Sequence, residues 1–184
     1  MRRITLGVAV LVAMALAIPA GAGKADHFTA HLTELNDSGV TGQAVLWMTD
    51  DALTVNLTVN GLDGGLVHMQ HIHGKAQGEA ECPTIARDID GDGLISVSEG
   101  GPDYGPVLLS LLRDGVFPTP NPGGVNKTKA TYTSTNAGGD ITDLGPLDSR
   151  VIVVHGLDLD GSGAYEPGLE FALPVACGVI VAQP

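Results

Sequence analysis

From Leu53 to Asn60 apolar and polar residues alternate without a break, with Leu53, Val55, Leu57 and Val59 set against Thr54, Asn56, Thr58 and Asn60. A period of two places one set in a core and the other in water, which a strand can do and a helix cannot. The apolar run Gln43, Ala44, Val45, Leu46, Trp47, Met48 precedes it across the turn residues Thr49, Asp50 and Asp51, so residues 40–62 read as a hairpin. Residues 66–73, 107–112, 129–135, 150–157 and 177–182 are further short strand candidates, separated by stretches dense in Gly, Pro and Asp at 75–106, 117–126 and 137–148. With 26 Gly, 11 Pro and aromatics at 4%, little remains for long helices, and no sustained 3.6-residue stripe occurs past the N-terminal segment. The expected fold is all-β, an antiparallel Greek-key β-sandwich or flattened barrel with long Gly/Asp-rich loops, in a single domain with its core over residues 40–181.

Hydrophobic residues at 43% against charged ones at 16% exclude a disordered acidic tail. A net charge of −12 repels nucleic acid and anionic lipid, so neither is an expected partner, and the sequence singles out no protein or small-molecule partner. The N-terminus has Arg2 and Arg3, an apolar run from Ile4 to Ile18, then Pro19 and the small residues Ala20, Gly21 and Ala22. This is the layout of a signal peptide over residues 1–22, and it implies a secreted or periplasmic domain over 23–184 with no membrane segment after cleavage. In that oxidising setting Cys82 and Cys177 are expected to form a disulfide, a shared metal site being the alternative.

The segment Asp88, Ile89, Asp90, Gly91, Asp92, Gly93, Leu94, Ile95, Ser96, Val97, Ser98, Glu99 matches the twelve-position calcium loop. Asp88, Asp90, Asp92, Ser96 and Glu99 offer oxygens at positions 1, 3, 5, 9 and 12, Leu94 a carbonyl at 7, and Gly93 the sharp turn at 6. Pro83 before the loop and Gly100, Gly101 and Pro102 after it argue against flanking helices, so the expectation is a calcium loop set into a β-protein. An Asp-Gly turn without metal is the alternative. Asp158, Asp160, Ser162 and Glu166 form a weaker second loop, with Leu169 at position 12 and Glu170 one place late. Stabilisation of the long loops is the expected role of calcium at both.

Of the six histidines, His71 and His73 share one face of a strand, about 7 Å apart along it, and His68 faces the other way. Together with His155, at the end of the apolar run Val151–Val154, they form either a polar patch or a three-imidazole copper site. There is no Gly-x-Ser-x-Gly elbow or phosphate-cradling glycine loop after a strand, and nucleophilic catalysis has no support.

The motifs His71-Ile72-His73-Gly74, Cys82, Arg150-Val-Ile-Val-Val-His155-Gly156 and Ala176-Cys177-Gly178-Val179-Ile180 resemble, in order, the landmarks of copper/zinc superoxide dismutases. The His-Ile-His-Gly stretch after a Gly-Leu turn also resembles the CHRD domain, a related extracellular β-sandwich. The dismutase resemblance implies His71, His73 and His155 as copper ligands and Cys82–Cys177 as the intrasubunit disulfide. The chain departs from that pattern in two places. It has no histidine between His73 and His155, so a zinc site of the family type is not expected, and it has Pro174 where the family has a guiding arginine. Two functions follow as expectations. One is an exported, calcium-stabilised CHRD-like module with a three-histidine copper site and weak or absent catalysis. The other is a copper-dependent superoxide dismutase-like oxidoreductase lacking the zinc site.

Overall fold

Strands β1 (Asp26–Glu34), β2 (Thr41–Met48), β3 (Leu53–Asn60), β4 (Gln70–His73), β5 (Val107–Ser110), β6 (Asn126–Tyr132), β7 (Val151–His155) and β8 (Pro174–Ala182) form one curled antiparallel sheet in the order β5-β4-β7-β8-β1-β2-β3-β6. The computed structural model describes residues 25–134, 138–166 and 168–184, and the signal segment read at 1–22 lies outside them. The expected all-β class is what forms, with the chain crossing from one half of the sheet to the other between β3 and β4, between β5 and β6 and again between β6 and β7.

The hairpin closes in the register the alternation requires, Met48 opposite Leu53 and Gly42 opposite Val59. Leu53, Val55, Leu57 and Val59 all point inward, where they pack with Leu46, Ile72, Leu109, Ile152, Val154 and Ile180. Each such side chain is worth about 1.5–3 kcal/mol of burial. β4 and β7 are buried along their whole length. Ile72 and Ile152 face the core, while Val151 and Val153 face a second apolar cluster with Ile95, Tyr104 and Cys177. This second cluster lies between the sheet and the long segment at 75–106. Cys82 and Cys177 are joined in a disulfide across 95 residues, which pins that segment to β8 and by loop entropy is worth up to about 4.6 kcal/mol.

Two elements differ from the pattern-based expectation. β1 is not among the strand candidates, yet it sits mid-sheet between β2 and β8. Its sequence, DHFTAHLTE, fully buries only Ala30 and Leu32, so backbone pairing on both edges holds it in place. Gly100, Gly101 and Pro102 do not stop a helix: α1 runs Val97–Tyr104 straight through them. Its start is fixed by a capping box between Ser96 and Glu99, which satisfies two otherwise orphaned amides, and its end by Tyr104, buried in the second cluster. The lack of a side chain at Gly100 makes room for the Tyr104 ring, whose Cε1 would lie 2.6 Å from a Cβ there.

Candidate metal centre

His71 pairs with Val153 and His73 with Val151, so β4 and β7 present His71, His73 and His155 on the face away from the main core. The register of β7 with β8 shifts between Val154 and His155, so that Val154 lies opposite Ala176 and His155 opposite Pro174. The ring centroids lie 5.4 Å (His71–His73), 5.4 Å (His71–His155) and 5.6 Å (His73–His155) apart. One ring nitrogen from each falls within 4.8 Å of the other two. Tyr104 packs on His73 at 4.8 Å and Phe117 edge-on to His71 at 5.3 Å. The sequence expectation that these three side chains converge is met.

Their hydrogen bonds define which nitrogens are available. His73 Nδ1 lies 2.8 Å from the Gly105 carbonyl oxygen and His155 Nδ1 2.7 Å from that of Ala172. A carbonyl only accepts, so both Nδ1 atoms carry the proton and both Nε2 atoms keep a lone pair. Those Nε2 atoms, together with His71 Nδ1, are buried with no hydrogen-bond partner among the described residues. An unpaired buried nitrogen costs about 1–3 kcal/mol, and three on converging rings are a donor set that could hold a metal ion. Burial pushes His71 down to about 3, helped by the nearby His155 and His73, and pushes His155 down to about 4. It lowers His73 as well. All three are neutral near pH 7, the form in which imidazole donates to a metal.

His68 stands apart. It is fully buried, its ring nitrogens face the carbonyls of His155 and Asp63 at 3.2 Å each, and the Tyr165 hydroxyl lies 3.3 Å away. His27 stacks on Trp47. Neither joins the cluster.

The two acidic loops share one hydrogen-bond scheme. In the first, Asp88 accepts from the amides of Asp92 and Gly93, Asp90 from Asp92, and Asp92 from Leu94. In the second, Asp158 accepts from Ser162 and Gly163, Asp160 from Ser162, and the Ser162 hydroxyl from Ala164. The fourth and sixth positions, Gly91 and Gly93, then Gly161 and Gly163, all have positive φ, a conformation glycine adopts without strain.

The closing carboxylates match in the same way. Glu99 accepts from Ile89 and Ser96, at the second and ninth positions, and Glu170 from Leu159 and Glu166, at the same two positions. Hydrogen bonds from Ser96 and Ile89 hold Glu99 down at about 2. Carboxylate oxygens of Asp88, Asp90 and Glu99 come within 4.8 Å of one another, as do those of Asp158, Asp160 and Glu170. Thus Glu170, one place late in the sequence match, stands with Asp158 and Asp160 as the closing carboxylate of the second loop, and Glu166 at the ninth position gives its amide to Glu170. The Ser96 hydroxyl donates to Glu99 at 2.8 Å. The offset that weakens the sequence match is one added residue before the closing carboxylate.

No family model matches the chain, and no curated protein matches it.

Proposed function

We propose that the protein is an exported, calcium-stabilised β-domain that holds a copper ion between His71, His73 and His155. The observation that carries this reading is the convergence of three neutral imidazoles whose free nitrogens are buried and unpaired, two of them with the opposite N–H tied to a backbone carbonyl. A donor set of imidazole alone, without carboxylate, suits copper, which heads the affinity order of divalent first-row metals. Bound copper would supply one-electron redox chemistry at this face of the sheet. The chain's own contribution is to keep the imidazoles neutral, fix two of their tautomers, and shield them with Tyr104 and Phe117.

The two acidic loops favour calcium. Each brings three carboxylates together, an arrangement that repels itself unless a hard cation accepts their oxygens. With no histidine between His73 and His155, and Pro174 in place of a guiding arginine, fast superoxide dismutation is not the reading preferred. The net charge of −12 repels that anion as well.

The test is elemental analysis of the exported protein, prepared without chelator and offered copper and calcium. About one copper per chain, lost in His155→Ala, supports the reading. Copper uptake that is unchanged in His73→Ala and His155→Ala rejects it. Rapid superoxide consumption by the copper-loaded protein, abolished by the same variants, would move the assignment to a dismutase-like enzyme.

A further inference from the structure

We propose that cation binding in the two acidic loops sets the copper affinity of the three-histidine centre, with Glu99 and Glu170 acting as its positioning residues. The proposal rests on the reading above and adds a coupling between its two kinds of site. Glu99 closes the first loop and is also the third residue of α1, and the residue that caps α1 is Gly105, whose carbonyl holds the His73 Nδ1–H at 2.8 Å. Glu170 closes the second loop and opens the single 3-10 turn Glu170–Ala172, whose last carbonyl holds the His155 Nδ1–H at 2.7 Å. In each case one short element carries the loop's closing carboxylate at its start and the histidine's acceptor at its end.

Neither element is stable by itself. α1 has eight residues, including Gly100, Gly101 and Pro102, well short of the length and composition an independent helix needs. The turn at Glu170 has three. Their positions are therefore set by their anchors: Glu99 at the start of α1 with buried Tyr104 at its end, and Glu170 at the start of the turn, with the Leu157 amide on its carbonyl. Glu99 is bound to the amides of Ile89 and Ser96, and Glu170 to those of Leu159 and Glu166. A cation in either loop would hold these carboxylates against their neighbours' repulsion, and its loss would loosen them.

The consequence reaches the histidines directly. His73 and His155 are each 4% exposed, and their Nε2 atoms have no hydrogen-bond partner among the described residues. If the Gly105 or Ala172 carbonyl shifts, the imidazole loses the bond that fixes its ring and its tautomer. Disturbing such a partner typically costs about 10–100-fold in metal affinity. The two loops are also joined to each other. Asn36 bonds the backbone of Ile95 in the first loop and the carbonyl of Pro174 just after the second, and residues near both closing carboxylates, Ser96 and Ser98, Leu169 and Ala172, line one cleft.

The experiment titrates Cu(II) into the full metal-free chain against a competing ligand, without calcium and at about 1 mM calcium, the range that extracellular loops bind. Calcium is titrated in parallel into the metal-free and copper-loaded protein. Copper should bind at least about fivefold more tightly with calcium present, and calcium more tightly with copper by the same factor, because coupling is reciprocal. The nitrogen hyperfine pattern of bound Cu(II) should sharpen when calcium is added. Glu170→Gln should weaken calcium in the second loop and reduce the copper effect to what the first loop supplies; should it fold poorly, Asp160→Asn, at an exposed loop position, carries the same expectation. Calcium uptake with an unchanged copper affinity would overturn the coupling and leave both sites standing. No calcium uptake at all would overturn the calcium reading and the coupling with it. An equal response to sodium salt of matched ionic strength would reduce the effect to screening and overturn it too.

Discussion

Asn36 and Ile95 clasp each other across 59 residues: the Ile95 amide donates to Asn36 Oδ1 at 2.6 Å, and Asn36 Nδ2 donates back to the Ile95 carbonyl at 3.1 Å. The same Nδ2 reaches the Pro174 carbonyl at 2.9 Å. One side chain at the end of β1 thus ties the first acidic loop to the start of β8. Asn36 has φ 58°, a left-handed conformation that asparagine tolerates better than most residues. Its Asn-x-Ser triplet is committed to this strut.

Asn36→Gly keeps the backbone conformation and removes the amide, so its cost is that of the clasp plus about 0.4–1 kcal/mol for the freer unfolded chain. Leaving a buried amide and carbonyl unpaired is worth about 1–3 kcal/mol, and Asn36→Ala should cost more because alanine is strained at positive φ. Urea unfolding of both variants checks this. Equal stability of wild type and Asn36→Gly would show that the clasp contributes nothing.

The two buried histidine groups should separate cleanly by mutation. His68 is occupied by two carbonyls and Tyr165, whereas His71 leaves Nδ1 unpaired in the cluster. His71→Ala should therefore abolish tight copper binding, and its stability cost should be smaller than that of His68→Ala, since the packing lost against Phe117 is partly offset by removal of an unsatisfied nitrogen. His68→Ala should keep copper stoichiometry and lower the melting temperature, having emptied a fully buried position. Copper titration and thermal melts of both variants decide the matter, and a His68→Ala protein without copper would contradict the assignment.

The glycines of α1 give a paired test of how Tyr104 is seated. A methyl at Gly101 meets nothing within 4 Å, whereas one at Gly100 meets Tyr104 Cε1 at 2.6 Å and Pro83 Cγ at 3.3 Å. Gly101→Ala should be close to neutral, its gain in helix propensity and in reduced freedom of the unfolded chain offset by crowding of the new methyl against the following Pro102 ring. Gly100→Ala should destabilise by about 1–3 kcal/mol and weaken copper, because the displaced ring packs against His73 at 4.8 Å. Stabilisation by Gly100→Ala would mean that Tyr104 is free to move aside.

What was legible in the sequence was what depends on near neighbours. The alternation in β3 fixes its inward face, the His-x-His spacing puts His71 and His73 on one side of β4, and the twelve-position pattern places Asp88, Asp90 and Glu99 together. What was not legible depends on partners distant in sequence. β1 owes its place to two neighbouring strands rather than to its own weak pattern. α1 is held through Glu99 and Tyr104 despite its glycines and proline. The tautomers of His73 and His155 are set by carbonyls 32 and 17 residues away. Glu170 was visible one place late, and only the bonds from Leu159 and Glu166 identify it as the counterpart of Glu99.

Acid should destabilise the metal-free protein well before its carboxylates titrate. Burial lowers His68 and His73, and takes His71 from an ordinary value of 6.5 to about 3 and His155 from 6.5 to about 4. Below pH 6.5 the unfolded chain takes up these protons and the folded chain does not, so the equilibrium moves toward unfolding as pH falls. The stability present above pH 6.5 is lost progressively until the folded imidazoles protonate near pH 4 and 3, and each fully unbalanced site contributes up to about 1.4 kcal/mol per pH unit. Glu99 adds to the loss lower down, between 4.5 and about 2. Chemical denaturation of metal-free protein at pH 7, 6 and 5 should show stability falling at each step, with a shallower fall in His71→Ala. Copper should oppose the fall, since it binds the neutral imidazoles that the folded state protects. A stability that stays flat from pH 7 to 5 would mean that these rings are not held neutral, and the cluster would then lack the form a metal needs.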